Sequence, residues 1–198
     1  MASTSNAYVK ARQLIDDVHK RDPLYLKHKE QQAAQGAAMA SVGIAVEVTS
    51  DLSSEKASGS VDETEGGQDE LEYANAMEEW VTALMEKDEK GKQAILQIPG
   101  ENPIELIKLA ARCQHLERFA TPRNTFPEGK AGYLSWRRSL YTIQADKASA
   151  LLIEAGVSEQ EAKLVHTWVS KTDLKPGKES GEWGTQVSMR ILLLSVLG

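Results

Sequence analysis

Every apolar pattern in this chain repeats at three and four residues, and no segment alternates apolar with polar as a half-buried strand must. The longest such pattern runs from Gly132 to Ala155 and is closed by Gly156, the residue type that best ends a helix in the left-handed conformation. A chain with helical stripes alone can bury its apolar faces only helix on helix. The expected fold is therefore all-α, a single helical domain of about six helices.

Start and stop signals place the helices. Tyr8 to His19 repeats Ala11, Leu14, Ile15 and Val18 after the capping candidates Ser5 and Asn6, and Leu24 to Ala40 continues helically with little to bury. Glu70 to Met85 shows the stripe Leu71, Ala74, Met77, Val81 and Leu84, and Lys87 to Lys92 is a charged break. Asn102 followed by Pro103 opens a helix that has Ile104, Ile107, Ala111 and His115 on one face. Pro122, Pro127, Gly129 and Gly132 frame a long loop, and Ser158 with Glu161 forms a capping box that opens a helix through Val169.

Charge is unevenly spread. The net charge of −6 speaks against a dedicated nucleic-acid binder, yet it hides two opposite segments. From Ser41 to Gln68 the chain is acidic, rich in Ser and Gly and without periodicity after Val48, the composition of a disordered insert. From Arg112 to Arg138 it carries Arg112, Arg118, Arg123, Lys130, Arg137 and Arg138 against only Glu117 and Glu128. The domain limits that follow are an N-terminal helical segment (1–40), the acidic insert (41–68), the helical core (69–187) and an atypical apolar tail (188–198). The apolar run Ile191 to Leu197 is far short of the roughly 20 residues that a membrane span needs, and no signal-like run opens the chain. The expectation is a cytoplasmic protein with no membrane partner. One cysteine, Cys113, rules out an internal disulfide and a cysteine-built zinc site.

The residues able to carry chemistry cluster around the basic segment. His115 lies about 20° from Ile104 on a helical wheel, so it falls on the buried stripe and needs hydrogen-bond partners or a metal. Gln144, four residues from both Leu140 and Ala148, falls on the core side of the long helix, with Asp146 at its flank. A buried amide satisfied by a neighbouring helix is the plain account of Gln144. Arg112, Arg118, Arg123, Arg137 and Arg138 can clamp a phosphate or carboxylate, because guanidinium groups bind such anions bidentately. Pairing with nearby glutamates is the alternative for each. Arg123, in the proline-framed loop, and Arg138, just past Trp136, are the leading clamp candidates. Beside Arg112, Cys113 is either a thiol of lowered pKa or an inert small helix residue. His19, His28 and His166 have no ligand spacing and are expected at the surface.

Several blocks together resemble the domain-of-unknown-function family DUF4202: Ala11-Arg-Gln-Leu-Ile-Asp16, Leu71-Glu-Tyr-Ala-Asn-Ala-Met77 with Trp80, Ala110-Ala-Arg-Cys-Gln-His115, Pro122-Arg-Asn-Thr-Phe-Pro127 and Gly132-Tyr-Leu-Ser-Trp-Arg137. The family's long helix carries His-Ala-Glu and its C-terminal helix Glu-Asp before an apolar run. That layout is similar to the metal site of HD-type phosphohydrolases, where histidine and carboxylate ligands hold divalent metals that activate water. The resemblance implies His115 and Asp146 as ligands of a divalent metal ion, with Gln144 in place of the second histidine. The late acid pair is missing, since Ser188-Met189-Arg190-Ile191 stands where it belongs. Codons TCT-ATG-AGG-ATN, read one base earlier, would spell Tyr-Glu-Asp, so a frame-shifted or alternatively spliced C-terminus is expected.

Two functional expectations follow. The first is a metal-dependent, HD-like hydrolase of a phosphorylated or otherwise anionic small molecule, impaired in this chain, with the arginines as clamp and Gln144 and Trp136 lining the pocket. The second is a non-catalytic module whose basic loop binds an acidic partner or RNA, RNA ranking lower because of the net charge. One prediction concerns the insert. Deleting Ser41 to Gln68 is expected to leave the melting temperature nearly unchanged, and a loss of several degrees would show that the segment packs on the domain.

Overall fold

The computed structural model describes residues 3–42 and 68–172. These form seven α-helices: α1 (Ser3–His19), α2 (Pro23–Val42), α3 (Glu70–Lys87), α4 (Glu89–Leu96), α5 (Pro103–Arg112), α6 (Gly129–Ala155) and α7 (Glu159–Ser170). Only Asp88 separates α3 from α4, so the count agrees with the expected six or so, and the fold is all-α. Three short 3-10 turns, at Cys113–His115, Arg118–Ala120 and Arg123–Thr125, join α5 to α6. Most of the insert and the whole of the 188–198 tail lie outside the described residues.

The cap signals act as their chemistry demands. Asn102 Oδ1 accepts from Glu105 N (3.3 Å) with Pro103 at the first position of α5. Gly156, at φ 95°, ends α6, and Val157 N donates back to the Leu152 carbonyl. Ser158 Oγ accepts from Glu161 N and donates to Glu161 Oε2 (2.7 Å), completing the capping box of α7. The other oxygen of Glu161 accepts from Tyr8 Oη and from Glu101 N (3.0 Å), so one capping carboxylate also fixes α1 and the start of α5.

Several boundaries move. Helix α1 starts at Ser3, so Ser5 and Asn6 lie inside it. The charged break at 87–92 is helical from Glu89, with buried Ile95 as the anchor of α4. The buried row of α3 is Glu70, Ala74, Met77, Val81 and Met85, rotated from the expected stripe, which leaves Trp80 exposed. Helix α6 buries Gly132, Trp136, Leu140, Gln144, Ala148 and Leu152, a strict four-residue ridge that packs on α1 and α7. Ile15, Leu106, Leu116, Leu152, Val165 and Val169 form the fully buried centre.

Through this core runs one buried charge network. Arg112, with 1% of its surface exposed, meets Asp16 of α1 through Nε and Nη2, and Asn75 and Glu78 of α3 through Nη1 (2.9 Å each). Glu78 is paired a second time by Arg12 (2.5 Å). His19, expected at the surface, is fully buried because its Nε2 donates to the Arg112 carbonyl (2.9 Å) and its Nδ1 faces Glu70 Oε2 (3.4 Å). Removing one member of such a set strands its partners, so Arg112→Met is expected to cost about 3 kcal/mol in urea unfolding. A cost below about 1 kcal/mol would show that the network is solvated and dispensable.

Candidate functional site

The 3-10 turn that ends α5 breaks the helical wheel, and its geometry builds the site. Cys113 stays in the core, fully buried, and burial pushes its thiol up to about 12, so the inert reading holds over the reactive one. His115 swings instead into a cavity of about 540 Å³ between the start of α3, the linking turns, α6 and the end of α7. Its ring stacks on Tyr73, with centroids 3.7 Å apart and planes 9° from parallel. Burial, helped by Arg118, Lys171 and Arg137, pulls the imidazole down to about 3.

The five candidate arginines divide by what they touch. Arg118 lines the cavity, lies over the Trp136 ring (5.1 Å) and brings Nη1 to 3.5 Å from His115 Nε2. Arg137 lines it too, donating to Tyr141 Oη (2.6 and 3.1 Å) and Tyr133 Oη (3.0 Å). Arg123 borders the cavity, but its guanidinium donates to the carbonyls of Phe126, Pro127 and Gly129 and so ties the proline-framed loop to itself. Gly132 completes that lock, since a Cβ there would collide with the Pro127 carbonyl. Arg112 is spent in the core, and exposed Arg138 is outside the cavity lining. Trp136 borders the cavity and donates Nε1 to the Thr121 carbonyl (2.8 Å), which fixes the face on which Arg118 rests.

Residues not singled out in the sequence complete the wall. Lys171 ends α7 with φ 58° and places Nζ 4.2 Å from the Tyr141 ring centroid. No carboxylate pairs with Arg118, Arg137 or Lys171 among the described residues. Three buried polar atoms, Tyr73 Oη, Gln114 Oε1 and Gln144 Nε2, have no partner among the described residues, and all three side chains belong to the cavity wall. Gln144 is thus not the satisfied core amide expected of it. Unpaired buried groups are costly, and a bound molecule or water that reaches them after a small rotamer change relieves the cost.

The acids of this wall are engaged. Asp22 accepts from Leu24 N (3.0 Å) and Glu70 N (2.9 Å), and Glu70 Oε1 accepts from Phe119 N (2.9 Å). Asp69 caps α3 through Glu72 N and pairs with His28 Nδ1 (3.1 Å), which makes His28 half-buried rather than a free surface residue. His28, Asp69 and Glu72 offer ligand atoms all within 4.8 Å of one another, a group that can hold a metal ion.

The HD-like metal layout is a different matter. Asp146 is exposed, outside the cavity lining, and bonds His166 Nε2 (2.9 Å), while Gln144 offers an amide in place of a histidine. His115 brings one nitrogen, facing Arg118 in a field made positive by Arg137 and Lys171. Of the implied histidine and carboxylate ligands only His115 reaches the cavity, and it does so beside Arg118, so these residues do not fit that centre.

The burial of His115, with the cations around it, also sets a pH dependence. The unfolded chain protonates this histidine near its ordinary 6.5, whereas the folded one resists to about 3. Between those values the unfolded state binds more protons, so stability is complete above the upper value and falls as pH drops through the window. The His115 ring resonances are expected to hold still from pH 7.5 to 5, and His115→Leu to lose less stability on acidification than the wild type. Titration of the ring near pH 6.5 would show a solvated imidazole.

Among the described residues no helix is long and apolar enough to cross a membrane. Comparison with characterised proteins and with solved structures finds no match to this chain. The model of one protein family, described as a domain of unknown function (DUF4202), matches residues 45–187. The match takes in α3 to α7 with every residue of the cavity wall except Asp22 and Leu24, and it leaves out the Ala11–Asp16 block. The chain belongs to the DUF4202 family.

Proposed function

We propose that this protein binds a phosphorylated or otherwise anionic small molecule in the cavity between α3, α6 and α7. The observation that carries the reading is the convergence of Arg118, Arg137 and Lys171 on one cavity, where none of them pairs with a carboxylate among the described residues. Elsewhere in the molecule the buried cation Arg112 meets two acids, as buried charge must. Three half-buried cations, paired with no acid among the described residues and held by aromatic faces, form a preorganised receptor for an anion. The carboxylates of Asp22, Asp69 and Glu70 in the same wall are held by backbone N–H groups, and none of them pairs with these cations.

The cavity favours a small ligand over an RNA or an acidic protein surface. The cations face a cavity of about 540 Å³, a size that suits a small molecule, and Arg123, the loop arginine best placed to reach outward, is occupied with the loop's own carbonyls. Hydrolysis is not part of the reading, because the donor set of the implied metal centre is incomplete.

Inorganic phosphate or tripolyphosphate is expected to raise the melting temperature in a salt-sensitive way, the stabilisation reaching about 2.7 kcal/mol at a hundredfold excess over Kd. The double variant Arg118→Ala with Arg137→Ala is expected to lose the response, and Arg138→Ala to keep it. An unchanged response in the double variant would place the anion elsewhere.

A further inference from the structure

Lys171 is the one member of the cationic wall whose side chain is also a nucleophile. Its Nζ and the guanidinium of Arg137 share one tyrosine: Nζ is 4.2 Å from the Tyr141 ring centroid, and Arg137 lies 5.5 Å from the same centroid while donating to the hydroxyl. No oxygen among the described residues accepts from Nζ, and burial, with Arg137 adding to it, pulls the ammonium down to about 8. Roughly a tenth of Lys171 is then free amine at pH 7, far more than for a solvated lysine. Lysines in this setting, partly desolvated and beside a second cation, add to carbonyl carbons. An ordinary anion anchor needs only a charge. Lys171 combines that with a lone pair in the same cavity as Arg118 and Arg137.

We propose that the ligand class of this cavity is a small molecule bearing both a phosphate or carboxylate group and an aldehyde or ketone, and that Lys171 Nζ forms a reversible imine with its carbonyl carbon. The anionic group lies against Arg118 and Arg137. The amine lone pair adds to the carbonyl carbon as the C–O π pair moves to oxygen and takes one of the two amine protons; the hydroxyl then takes the second through solvent and leaves as water while the nitrogen lone pair closes the C–N double bond. A C–N double bond forms, one water is released, and nothing is oxidised or reduced. The proposal rests on the anion-binding reading and adds the covalent step to it.

The test treats the full chain with pyridoxal 5′-phosphate as a phosphorylated-aldehyde probe, reduces with borohydride and maps the modified lysines by peptide mass spectrometry. Lys171 is expected to be labelled at least about tenfold more than any other lysine, the advantage coming from its free-amine fraction. Inorganic phosphate is expected to protect it, and pyridoxal without phosphate to lose the preference. Lys171→Arg is expected to abolish that label, whereas Arg138→Ala, outside the cavity lining, is expected to keep both the label and the thermal response to phosphate. Labelling spread evenly over other lysines, with the phosphate response intact, overturns the imine and leaves the anion site standing. Preferential labelling of Lys171 that pyridoxal reproduces and phosphate does not block overturns the anion requirement instead.

Discussion

A guanidinium sealed in the core holds this molecule together. Arg112 ends α5, and its side chain ties α1 through Asp16 and α3 through Asn75 and Glu78, while its carbonyl accepts from His19. A buried charge must be met on every side or it unfolds its surroundings, so the crossing of these helices is fixed by three residues on two of them. The same knot sets the site. His19 faces Glu70, and Glu70 accepts from Phe119 N, so the linking turns that carry His115 and Arg118 are held to the first turn of α3.

From that fixed frame the cavity acquires its charge. Aromatic rings rather than acids support its cations: Trp136 under Arg118, Tyr133 and Tyr141 around Arg137, and Tyr141 again beneath Lys171. A ring face steadies a cation without cancelling its field, whereas a carboxylate would do both. His115 stays neutral between them, which spares the site a further positive charge. The loop from Pro122 to Gly129 is equally settled, because Arg123 donates to its carbonyls and Gly132 lets Pro127 approach α6. A rigid positive wall costs little to organise when an anion arrives.

Local chemistry made the helices legible in the sequence. Asn102 with Pro103, Ser158 with Glu161, and Gly156 each act over three or four residues, and the structure repeats them. The middle of the α6 ridge, Leu140, Gln144 and Ala148, was visible for the same reason. Long-range partners were not. Five arginines of equal appearance separate into a core knot, a loop lock, a cavity pair and an exposed residue only when Asp16, the Phe126 carbonyl and Tyr141 are brought beside them from elsewhere in the chain. The wheel that placed His115 on a buried stripe assumed about 100° per residue, which the 3-10 turn at Cys113–His115 does not keep. Lys171 gave no signal at all, since its importance comes from the end of α7 meeting the middle of α6.

The central claim is this division of the arginines, and it can be read at the guanidinium groups themselves. In a protein carrying nitrogen-15 arginine, the Nε–Hε resonances of Arg112, Arg118, Arg123, Arg137 and Arg138 can be assigned by substitution and followed through a phosphate titration. The account predicts that Arg118 and Arg137 shift together along one saturating curve while Arg112, Arg123 and Arg138 stay in place. Saturating shifts at Arg123 or Arg138 with Arg118 and Arg137 unmoved would contradict it.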